Sequence, residues 1–264
     1  MNSKSISSTI ARSQQYGTRI LGCFIDACSW QTTLQTIHRW SAMRESRYVC
    51  ICNVHSVISA RHDAAFNQAL EGADMSTPDG MPVTWMLRHM GFPEQQRING
   101  PDLMWRYCAL AEQRDEPIFF YGNTEQTLAA LSQKLLAAFP RLRIAGMFSP
   151  PFRPLTAAED VEIIARINAS GARVVFVSLG CPKQELWMAE HRGRIDAVML
   201  GVGAAFDYHA GTVRRAPLWM QQRGLEWLYR LCAEPRRLWR RYLVTNSLFI
   251  VGALRQLLLH KFKH

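Results

Sequence analysis

The sequence predicts an α/β fold: a mostly parallel sheet with helices on both faces, followed by a helical appendage at the C-terminus. Three observations carry this. Short runs rich in Val, Ile and Phe alternate with longer segments of helical periodicity, as parallel strands buried on both faces require. Glycine directly follows a strand run in three of the loops at the carboxyl end of such a sheet. After Pro217 the strand signals stop, and arginines and aromatics take over.

In chain order, residues 1–16 are polar, with no apolar h-region or cleavage site, and are expected to form a flexible terminus rather than a signal peptide. Arg19–Asp26 reads as an early strand or hairpin. Arg47–Val54, Pro117–Tyr121, Arg141–Met147, Ala172–Leu179 and Ile195–Val202 read as strands, each apolar and too short for a helix. Cys50 and Cys52 fall on one face of the first of these. Helical segments are predicted at Val57–Glu71, Asp102–Arg114, Glu125–Phe139, Ala157–Ala169 (stopped by Gly171) and Pro182–Arg192. A further helix should begin near Pro82, after the turn Ser76–Pro82. These elements define a catalytic domain over 17–213, Rossmann-like in the loose sense, and the appendage occupies 214–264. Its longest apolar stretch, Tyr242–Leu254, is interrupted by Thr245, Asn246 and Ser247. A span needs about 20 apolar residues, so this segment is expected not to cross a membrane.

Charge is unevenly placed. The chain carries +10 in all, and Arg214–His264 holds eleven basic against two acidic residues, so the appendage accounts for +9 and the rest for +1. A neutral body with a cationic, aromatic-rich tail implies an anionic partner: a phospholipid surface, a phosphorylated ligand or nucleic acid. The aromatics and the apolar run favour lipid, and no nucleic-acid-binding motif is present. Seven scattered cysteines with no CxxC pair point away from a disulfide framework and a zinc site.

Ligands of parallel sheets bind beyond the carboxyl ends of the strands. The loops there contain Asn53–His55, Gly122–Asn123, Gly180–Pro182 and Gly201–Gly203, where glycine either makes a tight turn or lets backbone N–H groups approach a phosphate. Gly201–Phe206 approaches the GxGxxG dinucleotide fingerprint. Phe206 stands where its last glycine belongs, however, and Gln221 and Gln222 stand where its acid belongs. A nicotinamide-dependent oxidoreductase is therefore the competing reading. Asp79, between Pro78 and Gly80, is either a turn-former and helix cap or a rigidly held general base.

Pro78–Gly80, Arg97–Met104, Leu179–Glu185, Gly201–Gly203, Phe206–Asp207, Gly211, Arg215–Pro217, Gly224–Leu231 and Glu234–Pro235 occur in the order of signatures that resemble those of the WecG/TagA/CpsF glycosyltransferases. The similarity runs from about Ile20 to Arg241. It implies that Asp79 is the catalytic base, that Arg97 lies near it, and that Gln184 belongs to the nucleotide-sugar pocket. Asn53 matches the asparagine of a Thr-x-Asn motif whose threonine is here Ile51, and His55 stands where an acid is commoner. Arg230, Arg237 and Arg240, grouped here with Arg215, match arginines that engage the acceptor's diphosphate at the membrane. The substrate-binding residues are expected to be Asn53, His55, Gly122, Asn123, Gly180, Lys183, Gln184, Gly201, Gly203 and Asp207, with Lys183 and Arg97 placed to neutralise the leaving UDP.

The resemblance implies an inverting enzyme without metal or other cofactor. Its donor would be a UDP-sugar, either UDP-N-acetylmannosamine or, in exopolysaccharide biosynthesis, UDP-glucose. The acceptor would be a polyprenyl-diphosphate-linked saccharide. The expected location is cytoplasmic, peripheral on the inner face of the plasma membrane and held by its anionic surface, with no nucleic-acid partner and homo-oligomer formation left open.

Overall fold

A computed structural model describes residues 16–261 of the chain; the predicted flexible terminus, apart from Tyr16, and Lys263 lie outside the described residues. The first described element is an antiparallel hairpin of β1 (Gly17–Ile20) and β2 (Cys23–Asp26), which settles the early segment as a hairpin. α1 (Trp30–Ala42) follows, started by a capping box of Ser29 and Thr32. It was not predicted, because its polar and threonine-rich face hides the periodicity of Thr33, Ile37 and Trp40, which it buries.

β3 (Arg47–Cys52) leads into α2 (Val54–Ala60) and α3 (Ala64–Glu71). These two replace the single helix predicted over Val57–Glu71. Each has its own cap: Asn53 accepts from the Ser56 N–H, and Asp63 from the Phe66 N–H. β4 (Met75–Pro78) is a further strand that its composition, MSTP, did not reveal. α4 (Met81–His89) begins beside Pro82 as expected, with Gly80 as its N-cap residue. Then come α5 (Gly100–Gln113), β5 (Ile118–Gly122), α6 (Glu125–Ala138), β6 (Ile144–Phe148), α7 (Ala157–Ala169), β7 (Val174–Ser178), α8 (Lys183–His191), β8 (Val198–Gly201) and α9 (Ala205–Ala210).

Six strands form one parallel sheet in the order β4-β3-β8-β7-β5-β6. Residues alternate between its faces. Tyr48, Cys50, Cys52, Val175 and Val177 pack with residues of α2, α3, α4, α7 and α8, so Cys50 and Cys52 do share a face. Val49, Ile51, Val174, Phe176 and Leu200 pack with α1, α5, α6 and α9 on the other.

The appendage comprises α10 (Leu218–Gln222), α11 (Glu226–Ala233) and α12 (Pro235–Lys261). Here the structure corrects the sequence. Thr245, Asn246 and Ser247 interrupt the apolar run but not the membrane-length helix: α12 is continuous through them, with the Thr245 hydroxyl folded back onto the Arg241 carbonyl one turn earlier. Pro235–His260 is long and apolar enough to cross a membrane by length and composition. Yet one side of it is protein-facing: Phe249 and Ala253 join the core cluster on the α2 face. Gln256 accepts from the Leu21 N–H and donates to the Arg19 carbonyl, locking α12 to the hairpin.

Candidate active site

The crevice follows from chain direction. β3 leads into α2 on one face of the sheet, and its neighbour β8 leads into α9 on the opposite face. Their loops part at the carboxyl ends of the strands, the switch point at which α/β sheets bind ligands. A cavity of about 1630 Å³ opens there and continues under α11 and along α12.

Asp79 follows β4, its N–H bonded to the Cys52 carbonyl at the end of β3. Its Oδ1 accepts from the Gly80 N–H at 2.7 Å and from Arg97 Nε at 3.1 Å. Among the described residues Oδ2 has no partner, which leaves it for an incoming proton. Arg97 turns its other end to Glu226 of α11, Nη2 to Oε2 at 2.6 Å. Burial opposes the Arg97 charge, but Asp79 and Glu226 outweigh it and hold the guanidinium firmly protonated. Glu226 lies 3.9 Å from Arg215 Nε, and Arg215 is paired with Asp102. Burial pushes Asp102 up, yet Arg215 and Asn99 hold it below the usual carboxylate range. A chain of alternating charge thus runs from Asp79 through Arg97, Glu226 and Arg215 to Asp102, fastening α11 and the segment before it to the sheet.

On the other side, Gln184 is 4% exposed and fully engaged. Its Nε2 donates to Glu185 Oε1 and to the Gly201 carbonyl, and its Oε1 accepts from the Gly203 N–H at 3.0 Å. Gln184 therefore sets the shape of the loop after β8. A Cβ at Gly201 would collide with Met188 and Gln184, and one at Gly122 with the Ser178 backbone, so those glycines serve packing. Gly180 and Gly203 have positive φ and nothing within 4 Å of where a side chain would start, so the chain turns there without filling the cavity, while the Gly203 N–H itself is held by Gln184. α9 after this loop is only six residues long, poor footing for a dinucleotide fingerprint.

Asn53, His55, Asn123, Gly180, Lys183, Gln184, Gly201, Gly203 and Asp207 all border the cavity with Asp79 and Arg97. Asn123 Nδ2 donates to Asp207 Oδ1 at 3.0 Å, joining two candidates from different strands. Burial, with the Arg241 charge, lowers the His55 pKa to about 4 and keeps the ring neutral at physiological pH. Ile51 packs into the core beneath the loop, where a threonine would offer a hydroxyl. Among the described residues no group of three or more His, Cys, Asp or Glu is placed to hold a metal ion.

Of the appendage arginines, Arg230 and Arg237 border the cavity, joined by Arg241. Burial works against Arg230, but Tyr208, Tyr242 and the acids Glu226 and Glu234 keep it charged. Arg215 and Gly122 do not line the cavity. Arg240 is exposed outside it against Trp239. Sequence reasoning missed Glu226, Glu185 and Arg241 as site residues. Glu226 carried a signal: it is one of only two acids in a tail of eleven basic residues.

The family described as "Glycosyl transferase WecG/TagA/CpsF family" matches residues 18–263. The chain is also 34% identical over 197 residues to the N-acetylglucosaminyldiphosphoundecaprenol N-acetyl-beta-D-mannosaminyltransferase of Bacillus spizizenii, covering 74% of each sequence.

Proposed function

The chain belongs to the WecG/TagA/CpsF family and is a glycosyltransferase of lipid-linked acceptors; from that premise we propose that it transfers N-acetylmannosamine from UDP, with inversion, to an N-acetylglucosaminyl-diphosphopolyprenol at the cytoplasmic face of the membrane. The observation that carries this reading is that Asp79 and three arginines, Arg230, Arg241 and the Glu234-paired Arg237, border one cavity. A base for a sugar hydroxyl and a cluster suited to a diphosphate thus share the same space.

In this mechanism Asp79 Oδ2 takes the proton of the acceptor hydroxyl as that oxygen attacks the anomeric carbon. The bond to the UDP oxygen breaks on the opposite side, which inverts the centre. Arg97 orients Asp79 through Oδ1. The Gly180 loop and the Lys183 ammonium face the departing diphosphate and replace the solvation it loses. No metal is required in this scheme.

The outward apolar face of α12 and the +9 charge of the tail suit attachment to an anionic leaflet without crossing it, because Phe249, Ala253 and Gln256 hold the other side of the helix to protein. The relative's activity makes N-acetylmannosamine, before glucose, the donor to test. Product masses after incubation with a panel of UDP-sugars and an N-acetylglucosaminyl-diphosphoprenol, in excess EDTA, test the reading. A product one N-acetylhexosamine heavier supports it. No transfer from any UDP-sugar, or transfer abolished by EDTA and restored by magnesium, contradicts it.

A further inference from the structure

α12 has two apolar faces with different surroundings. Leu243, Val244, Val251 and Leu258 are exposed and point away from the cavity. Phe249, Ile250, Ala253, Leu254 and Leu257, at successive helical spacings, border it. Across from them the cavity is bordered by Trp85, Met86 and His89 of α4, and the two helices meet where Gln256 contacts Met90. Ile250, Leu254 and Trp85 are 57%, 58% and 44% exposed, so the strip is an apolar surface that the fold itself leaves uncovered.

The strip has a direction. Its beginning on α12 is Arg241, beside Arg230 and Arg237, and it becomes wholly apolar beyond Asn246. From Arg241 to Leu257 the helix rises about 24 Å. A cationic head joined to a long apolar strip complements an amphiphile with an anionic head and a hydrocarbon chain. A nucleotide sugar has no part that would cover it. Resting on the transfer reading above, we propose that the strip between α4 and α12 binds the isoprenoid chain of the acceptor, while the arginines hold its diphosphate. The enzyme would then recognise the lipid as well as the sugar, and the outward face of the same helix would meet the bilayer.

The test compares a farnesyl-diphosphate-linked with a butyl-diphosphate-linked acceptor sugar, both used without vesicles or micelles. The wild-type KM should be lower for the farnesyl acceptor by on the order of tenfold or more, since several methylenes are buried. Ile250→Gln with Leu254→Gln should erase that preference while leaving the butyl KM, UDP-sugar binding and flotation with phosphatidylglycerol vesicles unchanged. Val251→Gln with Leu258→Gln, on the outward face, should do the reverse, reducing flotation and keeping the preference. These positions are exposed, and thermal melting confirms that each variant is folded. Equal wild-type KM values, or a preference that survives in the Ile250/Leu254 variant, would overturn the groove alone. An Ile250/Leu254 variant that loses flotation but keeps the preference would assign the strip to the bilayer and overturn it too. Absence of transfer to either acceptor would overturn the transfer reading together with the groove.

Discussion

At the scale of single residues, two carboxylates sit in contrasting environments. Asp79 is tied by one oxygen to Gly80 and Arg97, which fixes its direction and leaves the other for a proton. Asp79→Asn keeps the shape and removes the basicity, so turnover is expected to fall on the order of 10²–10⁴-fold with UDP-sugar binding kept. Steady-state kinetics beside calorimetric titration checks this, and near-normal turnover in a folded variant would end the assignment. Glu185 is 1% exposed, and burial pushes its carboxyl up to about 7, only partly offset by Gln184 and by Cys181 beside it. Because its folded-state pKa lies above the unfolded value, the native state keeps the proton longer. This contribution to stability is full below about pH 4.5 and is lost as pH rises through about 7, by about 3 kcal/mol in all. Glu185→Gln cannot ionise, so its stability relative to wild type should increase across that window. Denaturant melts of both proteins at several pH values isolate the difference.

At the scale of elements, α12 divides the appendage arginines by the side of the helix they occupy. Arg237 and Arg241 border the cavity, whereas Arg236 and Arg240 are exposed away from it. The sequence had grouped Arg240 with the diphosphate ligands, whereas one step of 100° turns it outward and brings Arg241 in. Replacing Arg236 and Arg240 by Gln should weaken binding to anionic vesicles by about 1 kcal/mol each, more at low salt, with transfer to a soluble acceptor unchanged. Arg241→Lys should leave vesicle binding intact and raise the acceptor KM, since lysine cannot match a bidentate guanidinium on phosphate. Flotation across a salt series, paired with kinetics on a soluble acceptor, separates the two. The loop after β8 shows the same division of labour: Gln184 holds Gly201 and Gly203 in shape, Gly201 packs against Met188, and Gly203 leaves open space beside the cavity.

At the scale of the whole molecule, the appendage is joined to the body rather than hung from it. Arg97–Glu226 and Arg215–Asp102 cross the junction, and Leu238 and Phe249 are buried. A chain ending at Val213 is therefore expected to melt well below the full-length protein. Phe249→Ala alone should cost about 3–5 kcal/mol, because it opens a cavity between α12 and the core. Calorimetry decides the matter: an unchanged melting temperature for the shortened chain would mean that the appendage only docks.

The sequence by itself determined the parallel α/β plan, because strands buried on both faces must be continuously apolar and their helices must be periodic. It also supplied the ordered motifs and the +9 tail, since neither motif order nor charge depends on folding. Weak patterns escaped it: β4 is the short, half-polar MSTP run, and α1 hides its apolar stripe among threonines. Only the tertiary structure could decide which residues of separate motifs meet. Asp79, Arg97 and Glu226 are joined by ion pairs between groups 129 positions apart in the chain at the widest. Likewise, which glycines face a ligand and which face a neighbour depends on what stands within 4 Å of each, and that is a property of packing. The side of α12 that meets the cavity was also beyond sequence. Beyond Ser247 its residues are apolar nearly all round, so periodicity there carries little direction until α2, α4 and the hairpin take their places against it.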